Sequence, residues 1–179
     1  SCHDASIRVP LIAAGPGFAP GTIVDELVSL IDVAPTVLSA AGIDTPASMP
    51  GRPLQIQAGD GETEPREQVY VQLSESQVGR AIRTHRWKYA VRDFDRDGWT
   101  ESRGDRYMED FLYDLEADPY ERCNLVYSVD HDGVRTDLAT RLKAEATTAG
   151  ETPFEIVPAV ASVREDPQYD YKPGSRRKQ

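Results

Sequence analysis

Residues 79–91 read GRAIRTHRWKYAV, and the fold follows from how that stretch is divided. Two short strands, 80–84 and 87–91, fold back on each other through His85 and Arg86. Ala81, Arg83 and His85 alternate with Arg80, Ile82 and Thr84, then Trp87, Tyr89 and Val91 alternate with Lys88 and Ala90. A period of two with aromatic and β-branched residues is the strand signal, and it predicts a sheet with one wet face. Residues 68–73 (QVYVQL) and 111–115 (FLYDL) flank the hairpin and extend it to a four-stranded antiparallel meander. Val134, Leu138 and Leu142 recur every fourth residue within 134–149, ahead of Gly150. That stripe predicts a helix packed across one face of the meander, and so an α+β domain.

Upstream the pattern changes. Residues 7–14 (IRVPLIAA) are almost wholly apolar, which suits a strand covered on both faces, with Pro10 placing it at an edge or a bulge. GPGFAPG at 15–21 is a loop, and 23–29 is a second strand candidate. Residues 32–41 (DVAPTVLSAA) predict a helix with Asp32 as N-cap, Pro35 in the first turn and Gly42 as its stop. Val33, Val37, Leu38 and Ala41 form its expected buried stripe. From Thr45 to Arg66 the chain is rich in Pro, Gly and Glu, with only Leu54 and Ile56 to bury. The expected organisation is therefore a terminal piece of an α/β domain at 1–43, a linker at 44–66, the sheet and helix at 67–150, and an extended tail at 151–179. Residues 92–110 are expected to be a long exposed connection, and Asp118-Pro119 to open a helical turn through Leu125.

The net charge of −10, from 30 acidic and 20 basic residues, excludes a phosphate backbone as partner. No apolar run approaches the roughly 20 residues of a membrane span. Cys2 and Cys123 are too few for a disulfide framework, and neither has zinc-ligand spacing.

Five stretches, taken in order, resemble the C-terminal third of the type I sulfatases of the alkaline-phosphatase superfamily. They are SIRVPLIAAGPG at 6–17, VDELVSLIDVAPTVLSAAGI at 24–43, MPGRPL at 49–54, AIRTHRWKYAV at 81–91 and FLYDLEADPYERCNL at 111–125. The resemblance implies that residues 1–43 supply the last strands and a helix of a large catalytic domain, which is itself the missing partner. It implies hydrolysis of sulfate esters by the whole enzyme, with a calcium ion and a formylglycine made from the Cys or Ser of C/S-x-P-x-R. Cys2, in CHDAS, and Cys123, in CNLVY, stand outside that motif, no Ser is read as standing in it, and the chain alone is expected to lack a nucleophile and to be inactive. Two other readings stand beside this one. The parent could be a phosphate mono- or diesterase or phosphonate hydrolase of the same superfamily, or the chain a stand-alone binding domain.

The resemblance also nominates site residues. His3 would border the sulfate pocket, while Gln77 and Arg80, in the turn SESQVGR at 74–80, would contact substrate from the small domain. Arg8 is read as a structural ion-pair partner. Asp93, Asp95 and Asp97, followed by Gly98, open like a calcium loop, but the twelfth position is Gly104 rather than Glu. An acidic loop in solvent is the expectation there, with no metal held. If strand 7–14 has no cover within the chain, self-association through it is expected.

Overall fold

The computed structural model describes residues 1–57 and 65–160. One sheet runs in the order β1 (Gln68–Ser74), β2 (Val78–Thr84), β3 (Trp87–Asp93), β4 (Arg106–Asp114) and β5 (Glu155–Val157). The first four strands form the antiparallel meander read from the sequence, but β4 begins at Arg106, inside the stretch 92–110 expected to be an exposed connection, because Tyr107 and Glu109 are buried there. The central hairpin turns at His85-Arg86, with Arg83 opposite Lys88. Thr84 closes the turn, because its Oγ1 accepts the Trp87 N–H at 2.8 Å. Between Ala90 and Val91 the pairing of β3 with β4 skips Asp110, a bulge of one residue.

β5 is a correction. The stretch from 151 was expected to be an extended tail, yet Glu155–Val157 pairs in parallel with residues 106–108 of β4. A strand edge carries unpaired N–H and C=O groups, and a short segment returning from a helix can cover them. That helix is α4 (Asp132–Thr148), and Gly150 stops it with φ +82°. The expected tail at 161–179 lies outside the described residues, as do residues 58–64 of the expected linker.

Neither face of the sheet is wet. Row by row, Tyr70, Ile82, Tyr89 and Leu112 lie opposite one another on one face. Val78, Val91, Tyr107 and Val126 extend that cluster, and Leu138 and Leu142 of α4 close it. On the other face Val71, Ala81, Ala90 and Phe111 make one row. Tyr113, Leu115 and Cys2 join them in a second buried cluster. Arg80 and Lys88, which looked like solvent-facing charges, are both fully buried, one on each face.

The N-terminal third departs most from expectation. Residues 4–7 form one helical turn, α1 (Asp4–Ile7), and residues 8–14 and 23–29 run as irregular backbone rather than strands. An apolar strand is stable only with neighbours to pair with. Among the described residues none pairs with either stretch, and Ile12 and Ile23 are 94% and 86% exposed. The strand on which self-association was expected is therefore not formed. A 3-10 turn (Leu30–Asp32) leads into α2 (Val33–Ala40), which ends at Gly42 with φ +70° as expected. Its stripe is not buried: Val33 and Val37 are exposed, and Pro35 is the buried residue. The Asp32 side chain does not cap α2. It turns away to accept N–H groups from Ser29 and Arg52 at 2.8 and 2.9 Å and a two-pronged pair from Arg66. α3 (Leu54–Gln57) is fixed to α2 through the Leu54 N–H on Thr36 Oγ1.

Residues 118–125 are not a helical turn. Asp118 Oδ2 accepts the N–H groups of Arg122 and Cys123, at 2.6 and 2.7 Å. Asn124 then reaches the bulge: its Nδ2 donates to Asp110 O, and its Oδ1 accepts the Leu112 N–H at 3.0 Å. The polar loop thus covers the part of the β4 edge that β5 does not.

Candidate functional site

The sheet face away from α4 carries the densest polar chemistry. Arg83 of β2, Lys88 of β3 and Tyr113 of β4 stand in one row across it. The adjacent row holds Ala81, Ala90 and Phe111. Two alanines side by side leave a shallow trough, and residues 1–4 lie in it. Cys2 is fully buried there, and burial pushes its thiol up to about 11. His3 stacks on Phe111 at 4.6 Å and tilts towards Tyr113 at 5.8 Å. Its Nδ1 lies 2.8 Å from Ser1 Oγ and its Nε2 lies 3.4 Å from the Tyr113 hydroxyl. Burial lowers the His3 pKa, against the opposing pull of Glu121, so the ring is neutral at pH 7.

Asp4 faces two cations. One carboxylate oxygen pairs with Lys88 Nζ, and the other lies 3.4 Å from Arg83. Lys88 also pairs with Glu121, whose second oxygen accepts the Asp4 N–H at 2.8 Å. Burial works to raise the Asp4 pKa, but Lys88 and Arg83 outweigh it and hold the carboxyl low. Glu121 has φ +55°, a left-handed conformation that a side chain with Cβ adopts at a cost. Its side chain is 6% exposed, so the turn is held by what the carboxylate binds.

Of the other nominated residues, Arg80 lies on the opposite, α4-covered face of the sheet, and Gln77 lies in the turn that leads into its strand. Arg80 is fully buried, and all three of its nitrogens are engaged. Nε pairs with Glu151 at 2.7 Å, Nη1 donates to the carbonyls of Gly79 and Leu73, and Nη2 donates to Ser102 O. The guanidinium also lies 5.5 Å from the Tyr107 ring centroid. Gln77 is 6% exposed and packs beneath Gly98 and Gly79. Within this chain Arg80 is a brace between Glu151 and three backbone carbonyls. Arg8 is exposed, with no ion-pair partner among the described residues. The carboxylate loop is not wholly in solvent as expected, for Asp93 is buried and accepts the Asp95 N–H at 3.1 Å. No group of three His, Cys, Asp or Glu side chains among the described residues could hold a metal ion.

One reading of the sequence needs correction. Ser48-Met49-Pro50-Gly51-Arg52 does spell S-x-P-x-R. Ser48 lies on an exposed turn, after which the Met49 N–H bonds Pro46 O. The Arg52 N–H is committed to Asp32, and Gly51 packs on the Ile31 carbonyl. These contacts hold a turn against α2.

Sequence reasoning singled out His3, which lies in this cluster, and did not single out Cys2, Asp4, Lys88 or Glu121 for it. Lys88 could have been flagged, because it alternates with Trp87, Tyr89 and Ala90 in a strand with apolar neighbours on both sides.

Comparison with known proteins settles the family. The family described as N-sulphoglucosamine sulphohydrolase, C-terminal, matches residues 1–148. The chain belongs to that sulfatase family. Human arylsulfatase K is 30% identical over 147 residues, 73% of this chain and 26% of the relative. The choline-sulfatase of Rhizobium meliloti is 34% identical over 126 residues, 68% of this chain and 22% of the relative. A crystal structure of a candidate sulfatase from Bacteroides thetaiotaomicron superposes with a TM-score of 0.61 at 25% identity, covering 76% of this chain and 29% of that one. The chain thus spans about a quarter of the length of these sulfatase relatives. They share its mixed α+β plan of a sheet with a C-terminal helix.

Proposed function

We propose that the chain acts as the C-terminal domain of a sulfatase, a sulfuric ester hydrolase, and by itself carries out no hydrolysis. The observation behind this is the family match from residue 1 to residue 148, which takes in the clustered N-terminal segment as well as the sheet. In this reading the calcium ion and the formylglycine belong to a catalytic domain that precedes the chain. The residues here supply shape: a rigid sheet, buried ion pairs and a braced turn. His3 is the nominated residue that keeps partial exposure, and in the whole enzyme it borders the substrate pocket as a neutral imidazole. Arg80 and Gln77 act from beneath, by fixing the 75–77 turn and the 94–105 loop that lean on each other. The exposed apolar residues of 9–43, Val9, Ile12, Ile23 and Val37 among them, meet the catalytic domain.

The test is direct. The full open reading frame containing this sequence is expressed with a formylglycine-generating system and assayed on an aryl sulfate and on the matching aryl phosphate. Calcium-dependent turnover of the sulfate supports the proposal. Preference for the phosphate would move the parent to a phosphate hydrolase of the superfamily, and no turnover of either would remove the enzyme reading.

A further inference from the structure

The loop between β3 and β4 presents an aromatic ring differently from the rest of the surface. Phe94, Trp87 and Tyr120 each carry an arginine against the ring, with the guanidinium carbons of Arg92, Arg86 and Arg122 at 4.8, 4.8 and 5.2 Å from the ring centres. Trp99 is 75% exposed, and among the described residues no ring or guanidinium lies on it. Of the arginines on its own loop, Arg96 is drawn off by Glu101, Asp93 and Asp105, and Arg103 is exposed. The backbone that carries the indole is nevertheless fixed on both sides. Asp97 Oδ1 accepts the Trp99 N–H at 3.0 Å, and the Asp97 carbonyl accepts the N–H groups of Thr100 and Glu101 at 3.1 and 2.8 Å. Gly98 is buried against the backbone of Glu75 and Gln77. Further on, the Ser102 carbonyl accepts from Arg80 at 3.1 Å, and the Gly104 N–H donates to the Tyr107 hydroxyl at 3.0 Å. An indole held this way loses little freedom when a ligand arrives.

We propose that Trp99 is the floor of a binding site for one uncharged pyranose ring of a saccharide. The indole offers a flat apolar face to the C–H groups of such a ring. The exposed side chains of Asp97, Thr100 and Ser102 on the same loop supply acceptors and a donor for its hydroxyls. Charge selects against other occupants. Residues 94–105 hold four carboxylates and two arginines, so a sulfate group, a phosphate backbone or an anionic membrane surface meets repulsion there. Arg96 already answers Glu101 and Asp105, which leaves a weak field to draw a basic peptide. A neutral ring with a C–H face and hydroxyl edges fits what remains. The inference goes beyond the proposed hydrolysis and does not depend on it, because it is tested by binding alone.

The experiment titrates the intact 179-residue chain with cellobiose and with N,N′-diacetylchitobiose, reading the indole N–H signals of its 2 tryptophans by proton–nitrogen NMR. Trp99→Ala removes one signal and so assigns it. Both disaccharides are expected to shift the Trp99 signal saturably, with a dissociation constant on the order of 10 mM, and to leave Trp87 in place. Sorbitol, which has the hydroxyls without a ring face, should shift neither. The 6-O-sulfated form of the chitobiose should bind about 2- to 5-fold more weakly, the size of one exposed charge interaction. Trp99→Ala should abolish the sugar-dependent shifts of amides in 94–105 and move the melting temperature by less than about 2 °C. Absence of a saturable shift with either disaccharide, or an equal shift with sorbitol, overturns the proposal. Tighter binding of the sulfated sugar overturns it in favour of an anion site, and tighter binding of a hexa-arginine peptide in favour of a basic protein partner. A large fall in melting temperature in Trp99→Ala shows that the ring is structural and overturns it as well.

Discussion

Arg80 and Glu151 lie 71 residues apart in sequence, yet the arginine Nε sits 2.7 Å from one carboxylate oxygen and 2.9 Å from the other. The same carboxylate accepts the Tyr70 hydroxyl at 2.5 Å, so one acidic residue after α4 ties β1 and β2 together. Glu151→Ala leaves the fully buried guanidinium without its counter-charge, which costs about 3–5 kcal/mol. The melting temperature should fall by roughly 2–4 °C for each kcal/mol lost. Arg80→Met combined with Glu151→Leu should cost less than Glu151→Ala alone, because it removes both charges from the interior. Thermal melts of the two variants check the order.

Asp32 sets a pH limit on the N-terminal unit. Burial alone would raise its pKa, but Arg66 and the N–H groups of Arg52 and Ser29 outweigh burial and hold it below the usual carboxylate range. A depressed carboxyl stabilises the fold above its unfolded value of about 3.9, and that contribution disappears as pH falls through the still lower folded value. Amides of α2 and of residues 52–54 should therefore lose exchange protection in acid. Asp32→Asn should reproduce that loss at pH 7, at about 1–3 kcal/mol. Hydrogen exchange at pH 7 and pH 3 tests both.

Gly98 is where two loops touch. A Cβ built there would lie 2.6 Å from the Gln77 N and 2.6 Å from the Glu75 O, both backbone atoms that cannot swing aside. Gly98→Ala should cost about 1–3 kcal/mol, typical of overpacking. The damage should be local, with faster exchange at residues 75–77 and little change in α4.

The helix α4 and the irregular stretch at 8–14 should answer mutation differently. Leu142 of α4 is fully buried in the main core, and Leu142→Ala should cost about 2–5 kcal/mol. Ile12 is 94% exposed, and Ile12→Ser should change the stability of this chain by no more than about 0.5 kcal/mol. Denaturant midpoints measure the contrast. A large loss at Ile12 in this chain would mean that residues 8–14 are covered after all.

The legible parts of the fold were those whose cause is local. Strands β1 to β3 and the second half of β4 announce themselves by alternation over five or six residues, and α4 by Leu138 and Leu142. The parts that were missed depend on distant partners. Lys88 looked solvated because its carboxylates lie at Asp4 and Glu121, outside any window around the hairpin. Arg80 looked free to meet a substrate for the same reason. β5 is three residues long, too short for a pattern, and exists because the β4 edge needs covering. Residues 7–14 differ in the other direction: their composition asks for a sheet on both sides, and none of the described residues supplies one.

The return of the chain after α4 also fixes an order of events during synthesis. The ribosome delivers the N-terminal side of a domain first. Strands β1 to β4 are therefore complete while Arg80 still has no carboxylate and the outer edge of β4 is bare. Both needs are met only when Glu151 and then residues 155–157 emerge. Until then the nascent sheet carries an unpaired cation at its centre and an open edge, the state in which chaperones would be expected to hold it.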